Sequence, residues 1–297
     1  PGIADDLGLL WTRFLLTHKL FFFKKMRGYM TFQLALVTGA TSGIGEALCH
    51  LLAEKGINIL ATGRNTERLS HLRDALKSKV QVVTHVCDLG KPEERSTLIS
   101  LIHEHTPDLV INNAGSGLHG QALAFETSAQ MDILELNGNA VLELSLESAR
   151  ALVSKERKGV IMNVSSVAAF FPFPNLSVYA ASKTFVNAFS ESFDWEMRDY
   201  GIRVLASCPG VVATRFRERA NPGILSHQNN PMDVMTVEFA AEEIWNQIIS
   251  QKPVRIFDWR YRMSQFFSLV CPNWFLKSLL KKRMNNRSKP KDIIKLP

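Results

Sequence analysis

The chain has 297 residues, of which 46% are hydrophobic and 21% are charged, a composition that suits one large α/β domain or two small ones. It contains no run of eighteen uncharged apolar residues, so the sequence predicts no clean membrane span. The four cysteines are widely separated, without the spacing of a metal site or a disulfide framework, so we expect free thiols in a cytoplasmic protein.

The formal net charge of +7 is concentrated at the two ends of the chain. Residues 1–30 carry +3 and residues 252–297 carry +10, so residues 31–251 carry −6. An acidic body argues against nucleic acid as a ligand. Residues 1–30 are expected to be an extension outside the fold or an amphipathic helix on a membrane. Residues 259–297 form a basic, partly amphipathic tail, predicted either to pack over the body or to contact a membrane peripherally.

Between residues 31 and 258, short apolar runs alternate with helical segments. The seven predicted strands are Leu34–Val37, Ile57–Ala61, Val80–Val86, Leu109–Asn112, Val160–Val164, Ile202–Ser207 and Val254–Phe257. The predicted helices are Glu46–Lys55, Glu67–Lys77, Pro92–His105, Ser128–Ser154, Val178–Tyr200 and Val237–Ser250. This alternation predicts an α/β fold with a doubly wound parallel sheet and helices on both faces. The stretch 215–233 is predicted to be a loop with a short helix, and loops of this length are often lids.

A glycine-rich turn joins the first predicted strand to the first predicted helix. In the stretch from Thr38 to Gly45, the glycines stand at positions 39, 43 and 45. Glycine allows backbone N–H groups to approach an anion closely, and the helix that follows points its positive end at the same place. The pattern predicts a site for the pyrophosphate of a dinucleotide. The alternative is a tight turn that binds no ligand.

The end of the second strand indicates which dinucleotide is bound. The stretch Ala61–Asn65 contains no acidic residue that would bind the ribose hydroxyls of NAD, but it contains Arg64. A guanidinium suits a 2′-phosphate, so NADP(H) is favoured over NAD(H). The alternative is a solvated arginine at a helix start. Asp88, after the third strand, is expected either near the adenine or as a turn residue.

A tyrosine and a lysine four residues apart form a candidate acid–base pair. Tyr179 and Lys183 would lie on the same side of a helix, one turn apart. A nearby cation favours the phenolate and lowers the tyrosine pKa from its usual value of about 10. Ser166 lies thirteen residues upstream of Tyr179. The alternative is an ordinary amphipathic helix with a half-buried tyrosine and a solvated lysine.

Together these motifs resemble, in order and spacing, those of the short-chain dehydrogenase/reductases. The matching positions are Thr38–Gly45, Asp88-Leu89, Asn112-Asn113-Ala114-Gly115, Asn137, Ser166, Tyr179 with Lys183, Pro209-Gly210 and Thr214. The resemblance extends from about Leu34 to Phe257 and leaves both ends of the chain outside. It implies a Rossmann fold.

The resemblance also implies a role for each matching residue. The implied catalytic residues are Asn137, Ser166, Tyr179 and Lys183. The implied cofactor contacts are Gly39, Thr41, Ser42, Gly43, Ile44, Gly45, Arg64, Asp88, Leu89, Asn113, Ala114, Gly115, Tyr179, Lys183, Pro209, Gly210, Val212 and Thr214. No metal is expected. Many members that use NADP(H) also carry a basic residue in the glycine loop, which is neutral here, so the NADP(H) prediction depends on Arg64 alone.

The implied reaction is hydride transfer between a nicotinamide and a carbonyl or alcohol carbon of a small molecule, in a homodimer or homotetramer. Phe170, Phe171 and Phe173 are expected to form one wall of an apolar substrate pocket, or else to belong to the core or an interface. The alternatives for function are a 3-oxoacyl reductase of lipid synthesis and a non-catalytic dinucleotide-binding protein.

Overall fold

The computed structural model describes residues 31–214 and 234–263. Its strands are β1 Leu34–Thr38, β2 Asn58–Gly63, β3 Val82–Val86, β4 Leu109–Asn112, β5 Gly159–Val164, β6 Ile202–Cys208 and β7 Val254–Ile256. Its α-helices are α1 Gly43–Glu54, α2 Thr66–Leu76, α3 Pro92–His105, α4 Thr127–Leu134, α5 Ala140–Ser154, α6 Ser177–Met197 and α7 Val237–Ser250. Short 3-10 turns follow at Ala122–Ala124, Val167–Phe170 and Arg198–Tyr200.

The seven strands form one parallel sheet in the order β3-β2-β1-β4-β5-β6-β7. Each parallel connection crosses over through a helix, which confirms the predicted doubly wound Rossmann fold. The strand order reverses between β1 and β4, where Val37 pairs with Ile111. In a sheet of this kind, ligands bind outside the carboxyl ends of the strands at this switch point.

The core lies on both faces of the sheet. Ala35, Leu36 and Val37 of β1 are fully buried, and every residue of β5 is buried. Strands that are buried on both faces must be apolar along their whole length, which explains why the strands read as continuous hydrophobic runs. Polar side chains can therefore collect only at the strand ends and in the loops that follow them.

One predicted helix differs from the structure. The sequence predicted a continuous helix over residues 128–154, but a π-helical segment, Glu135–Asn139, separates α4 from α5. The side chain of Asn137 in this segment is bound to Ser116 and Ser182, which belong to other parts of the fold. The π turn is therefore associated with hydrogen bonds to distant parts of the chain. The spacing of apolar residues, which predicted the helix, does not indicate such bonds. π-bulges of this kind often occur at functional sites.

Several predictions concern residues outside the described part of the chain. The predicted loop 215–233, the extension 1–30 and all but the first five residues of the tail 259–297 are among them. The proposed domain boundaries and the cytoplasmic location therefore stay predictions. Within residues 31–214 and 234–263, no helix is long and apolar enough to cross a membrane.

Candidate active site

The glycine loop has the geometry that its sequence predicts. Gly39 and Gly43 adopt positive φ angles of +66° and +61°, which glycine reaches without steric cost. A Cβ added to Gly45 would lie 2.3 Å from the carbonyl oxygen of Gly39, so this position admits only glycine. Helix α1 begins at Gly43, and the side chain of Ser42 does not cap its first amides. Backbone N–H groups at such a helix start favour an anion. The other two predicted loop contacts, Thr41 and Ile44, are half-buried.

The end of β4 holds the glycine loop in place. The side-chain amide of Asn113 donates to the carbonyl oxygen of Thr38 at 2.9 Å. In return, the Thr38 hydroxyl accepts the backbone N–H groups of Asn113 and Ala114 at 2.9 and 3.0 Å. These bonds join the carboxyl ends of β1 and β4 at the switch point of the sheet, as expected for a cofactor cleft.

The segment after β6 returns to the same loop. Val212 pairs with Met235 in an isolated bridge, and a Cβ added to Gly43 would lie only 2.9 Å from Cγ2 of Thr214. Two further predicted contacts, Pro209 and Gly210, connect β6 to this segment. Gly43 and Thr214, which are 171 positions apart in sequence, therefore meet at one edge of the cleft.

Two arginines lie near the glycine loop at the end of β2. The guanidinium of Arg64 is 3.8 Å from the carboxylate of Asp88, and its side chain is 62% exposed. The guanidinium of Arg68, one helical turn later, donates to the backbone carbonyl of Thr41 at 3.0 Å. The sequence interpretation missed Arg68, although its spacing of four from Arg64 would have indicated it. This edge of the cleft therefore has two cationic groups and not one.

The Asp88-Leu89 pair forms a tight turn after β3. The backbone N–H of Asp88 donates to Glu94 at 2.6 Å, and the Asp88 carboxylate accepts from the N–H of Gly90 at 3.1 Å. Leu89 is buried, and its carbonyl oxygen accepts a hydrogen bond from Arg95 at 2.7 Å. The turn is therefore held by its own carboxylate and by helix α3.

The structure brings Ser166, Tyr179 and Lys183 together as predicted. A hydrogen bond joins the hydroxyl groups of Ser166 and Tyr179. The Nζ atom of Lys183 lies 5.9 Å from the centre of the Tyr179 ring and donates to the carbonyl oxygen of Val164 at 2.9 Å. Ser166 and Lys183 are only 8% and 4% exposed. Tyr179 is half-buried, as the alternative expected, but the solvated lysine of that alternative is wrong.

Burial controls the protonation of this group. It lowers the pKa of Lys183 from 10.5 to about 8, because the ammonium has lost its hydration. It also raises the pKa of Tyr179 above 10, although the hydrogen bond from Ser166 acts in the opposite direction. Burial is the largest influence on the pKa of Tyr179, so the direction of its shift is opposite to the expected lowering. At neutral pH, Tyr179 holds its proton and Lys183 is charged.

Asn137 is fully buried, and its side chain is held by Ser116 and Ser182. Its Oδ1 atom accepts the backbone N–H of Ser116 at 2.9 Å, and its Nδ2 atom donates to the Ser116 carbonyl at 2.8 Å and to the Ser182 hydroxyl at 3.1 Å. A Cβ added to Gly115 would lie 3.2 Å from Asn137 Oδ1 and 3.5 Å from Lys183 Nζ. Gly115 therefore leaves a small space that these two polar groups face.

Two buried residues next to the acid–base group were missed by the sequence interpretation. The hydroxyl of Ser165 donates to the backbone carbonyl of Lys183 at 3.1 Å. The thiol of Cys208 donates to Asn187 at 3.4 Å, and burial raises the pKa of this thiol to about 12. Both residues stand at strand ends beside the serine and lysine, but no spacing rule indicates contacts across the sheet.

The phenylalanine-rich stretch lies on a groove beside helix α6. Phe170, Phe171 and Phe173 line a space of about 520 Å³ together with Ala181 and Thr184. Neither Tyr179 nor Lys183 lines this groove. The stretch therefore forms an apolar surface near the start of α6. The sequence predicted that it would form one wall of the substrate pocket, but the groove that it lines does not include the side chains of the acid–base pair.

The donor groups of the cleft suit a dinucleotide rather than a metal. Within the described ranges, no three His, Cys, Asp or Glu side chains are grouped so that they could hold a metal ion. The cleft instead offers a glycine cradle at a helix start, a cationic edge and a buried lysine. These features fit the parts of a dinucleotide: the glycine cradle suits the pyrophosphate, the cationic edge suits one ribose and the buried lysine suits the other.

Comparisons with known proteins agree with this geometry. The family model described as short chain dehydrogenase matches residues 33–224. An uncharacterized oxidoreductase of Staphylococcus epidermidis is 29% identical over 193 residues, which cover 64% of this chain and 83% of that protein. A 3-oxoacyl-acyl-carrier-protein reductase of Rickettsia prowazekii is 31% identical over 192 residues, which cover 65% and 78% of the two chains.

Solved structures share the fold. A short-chain dehydrogenase from Sphingobium yanoikuyae in complex with NADPH has a TM-score of 0.68 and 23% identity, covering 89% of this chain and 99% of that one. A 4-hydroxyisoleucine dehydrogenase complexed with NADH has a TM-score of 0.67 and 25% identity, covering 76% and 97%. Structural neighbours thus bind either form of nicotinamide cofactor. The chain is a member of the short-chain dehydrogenase family, whose enzymes are NAD(P)-dependent oxidoreductases.

Proposed function

We propose that the protein is an NADP(H)-dependent oxidoreductase that interconverts a carbonyl group and an alcohol. The observation that best supports this proposal is the buried Lys183 beside Tyr179, with Ser166 hydrogen-bonded to the tyrosine. Burying a lysine without a carboxylate partner is unfavourable for the fold, and such groups concentrate at functional sites. A non-catalytic protein would have no need for this arrangement.

Each residue of the group has a proposed role in the reduction. When bound, the nicotinamide supplies the hydride. Tyr179 is protonated at neutral pH and donates its proton to the substrate oxygen, while Ser166 holds that oxygen by hydrogen bonding. Lys183 is charged below about pH 8 and stabilises the phenolate left on Tyr179. Asn137 keeps the space beside Gly115 polar, so that a proton can reach Lys183 from solvent.

Replacing Tyr179 with phenylalanine tests this assignment. The change removes the proton donor and keeps the ring, so we expect turnover to fall by about 10²–10⁴ while NADPH affinity changes little. Turnover is followed by NADPH absorbance and binding by fluorescence titration. Tyr200→Phe is the matched control, because Tyr200 is exposed in the 3-10 turn that follows helix α6, and it should retain wild-type turnover. Substantial turnover by Tyr179→Phe would contradict the assignment.

The NADP(H) preference is proposed from Arg64, with Arg68 as a second cation on the same edge of the cleft. A hydrogen bond to a charged group is worth about 1.5–3 kcal/mol. We therefore expect Arg64→Gln to lower the ratio of kcat/KM for NADPH to that for NADH by about 10-fold to 100-fold. Arg73→Gln, on the exposed side of helix α2, is the control and should leave the ratio unchanged. A wild-type preference for NADH would refute the proposal.

The substrate is proposed to be apolar. The support is the phenylalanine-rich groove, whose lining includes Phe170, four residues after Ser166, and Ala180, the residue that follows Tyr179. A narrower candidate is a 3-oxoacyl thioester, favoured by the identity to the Rickettsia prowazekii reductase. A panel that compares aliphatic and aromatic ketones with a 3-oxoacyl thioester separates these two possibilities, because only an acyl reductase would prefer the thioester.

We also propose that the protein forms a homodimer or a homotetramer. The support is an apolar area on helices α4 and α6, where Met131 and Phe185 are 58% and 43% exposed and Phe185 stacks on Phe189. A second copy of the chain would cover this area. Sedimentation velocity measures the assembly directly, and a monomer at micromolar concentration would contradict the proposal.

A further inference from the structure

A buried arginine joins two parts of the cleft that lie far apart in sequence. Arg95, on helix α3, is 4% exposed. Its guanidinium contacts the carboxylate of Glu135 at 2.7 Å and that of Glu143 at 2.6 Å. It also donates to the carbonyl oxygen of Leu89 at 2.7 Å. One cation thus bonds to the turn after β3, to the π-helical segment and to helix α5.

The π-helical segment is held at both of its ends by one carboxylate. Glu135 opens the segment and Asn139 closes it. One oxygen of Glu135 contacts Arg95, while the other accepts the side-chain amide of Asn139 at 2.6 Å. A π turn contains one more residue than an α turn and is rarely stable without such support. The Arg95–Glu135 pair therefore braces the segment against helix α3.

Asn137 occupies the middle of the braced segment. Its side chain forms hydrogen bonds to Ser116 and to Ser182, and the Ser182 hydroxyl donates to the backbone carbonyl of Tyr179 at 2.7 Å. If the turn relaxed to an α-helix, Asn137 would rotate away from these partners, because each residue of an α-helix is turned by about 100° from the previous one. The brace thus reaches the acid–base group through Asn137 and Ser182.

We propose that Arg95 is a positioning residue that holds Asn137 in place through Glu135 while holding the Asp88-Leu89 turn. The inference rests on the proposed function, since it assigns importance to the placement of Asn137. The Arg95–Glu143 contact is different. Glu143 lies in the regular helix α5, outside the π turn, so its bond to Arg95 joins α3 to α5 and spans no end of the π turn.

The two carboxylates provide a matched experiment. Glu135→Gln and Glu143→Gln make the same chemical change to the same guanidinium, and both preserve the size of the side chain. Replacing Arg95 itself would leave two carboxylates unpaired and risks unfolding the protein, so it is a poorer test. Three measurements compare the two variants with the wild type: thermal stability, amide hydrogen exchange over residues 135–139, and turnover of the fastest ketone with NADPH.

We expect both variants to lose a similar amount of thermal stability. Only Glu135→Gln should exchange its amides faster over residues 135–139, and only this variant should lose turnover, by about 10-fold to 100-fold as for other small misplacements near a reacting group. Its affinity for NADPH should stay close to that of the wild type, because the Arg95–Leu89 bond remains. Equal losses of turnover in the two variants, or unchanged exchange in Glu135→Gln, would overturn the proposal.

Hydrogen exchange separates this proposal from the proposed function. If the wild type reduces no ketone in the panel, the proposed function fails, but the exchange comparison still reports on the brace. Faster exchange confined to Glu135→Gln would then support the brace. Equal exchange in the two variants would refute it, whatever the activity.

Discussion

Helix α6 buries a positive charge near its start and a negative charge near its end, and the two charges differ in the groups that surround them. Near the start, Lys183 is buried and donates to a backbone carbonyl, and no carboxylate of the described residues forms an ion pair with it. Near the end, Asp194 is fully buried, but it accepts from Arg198 at 2.7 Å, from Arg203 at 2.8 Å and from the N–H of Val204 at 2.9 Å. One charge is left without a counter-ion, and the other is fully compensated.

The difference separates a functional group from a structural one. Burial lowers the pKa of Lys183 to about 8, which corresponds to about 3 kcal/mol against its charged form. The pKa of Asp194 is lowered instead, because hydrogen bonds from the two arginines and the backbone outweigh its burial. A charge that weakens the fold calls for a functional reason, whereas a compensated charge is explained by stability alone.

The largest expected effect comes from Lys183→Met. The change removes the cation but keeps an apolar side chain of similar length, so turnover should fall by about 10²–10⁴, as in the loss of an acid–base group. The free energy of unfolding should stay unchanged or rise by about 1 kcal/mol, as often happens when a functional strain is removed. Steady-state kinetics and urea unfolding measure the two quantities. Lys252→Met, at an exposed lysine, is the control.

The opposite pattern is expected for Asp194→Asn. Neutralising a buried carboxylate that pairs with two arginines should lower the free energy of unfolding by about 3 kcal/mol. Folded molecules should retain the wild-type kcat, because Asp194 contacts no residue of the cleft. Asp199→Asn is the control, since Asp199 is exposed and its loss should cost less than about 0.5 kcal/mol. If Asp194→Asn lost turnover but kept its stability, the assignment of Asp194 to a purely structural role would be wrong.

A smaller effect is expected in the pH dependence of stability. The pKa of Lys183 is about 8 in the folded protein and 10.5 as a free side chain, so in this interval only the unfolded chain binds the proton and stability should rise with pH. The pKa of Asp194 is lowered on folding, so its stabilisation is present above pH 3.8 and is lost as the pH falls through the folded value. The free energy of unfolding, measured as a function of pH, should lose its alkaline rise in Lys183→Met. It should lose its acidic fall in Asp194→Asn.

The same titration of Lys183 should affect activity. The lysine is charged below about pH 8, so kcat/KM for reduction should fall as the pH rises through this value. The pH profile of kcat/KM for the ketone, measured with saturating NADPH, tests this expectation in the enzyme–NADPH complex. A flat profile between pH 7 and pH 9 would show that the charge of Lys183 does not contribute.

Much of the fold followed from local patterns. Continuous apolar runs predicted all seven strands to within two residues at either end, because strands buried on both faces must be apolar throughout. The spacing of Tyr179 and Lys183 predicted that they would meet on helix α6. The π turn at Glu135–Asn139 could not be predicted, because its stabilising partners, Arg95 and Ser182, come from 40 or more residues away in sequence.

Taken alone, the sequence determined the elements, the glycine turn and the order of the motifs. Each of these depends on neighbours a few residues apart, since backbone sterics and helical or strand periodicity act over that range. Tertiary structure alone decided how deeply Lys183 is buried, which carboxylates meet Arg95, and that burial outweighs the hydrogen bond from Ser166 in setting the pKa of Tyr179. These properties depend on desolvation and on contacts between distant segments, and both arise only when the sheet and its helices have packed together.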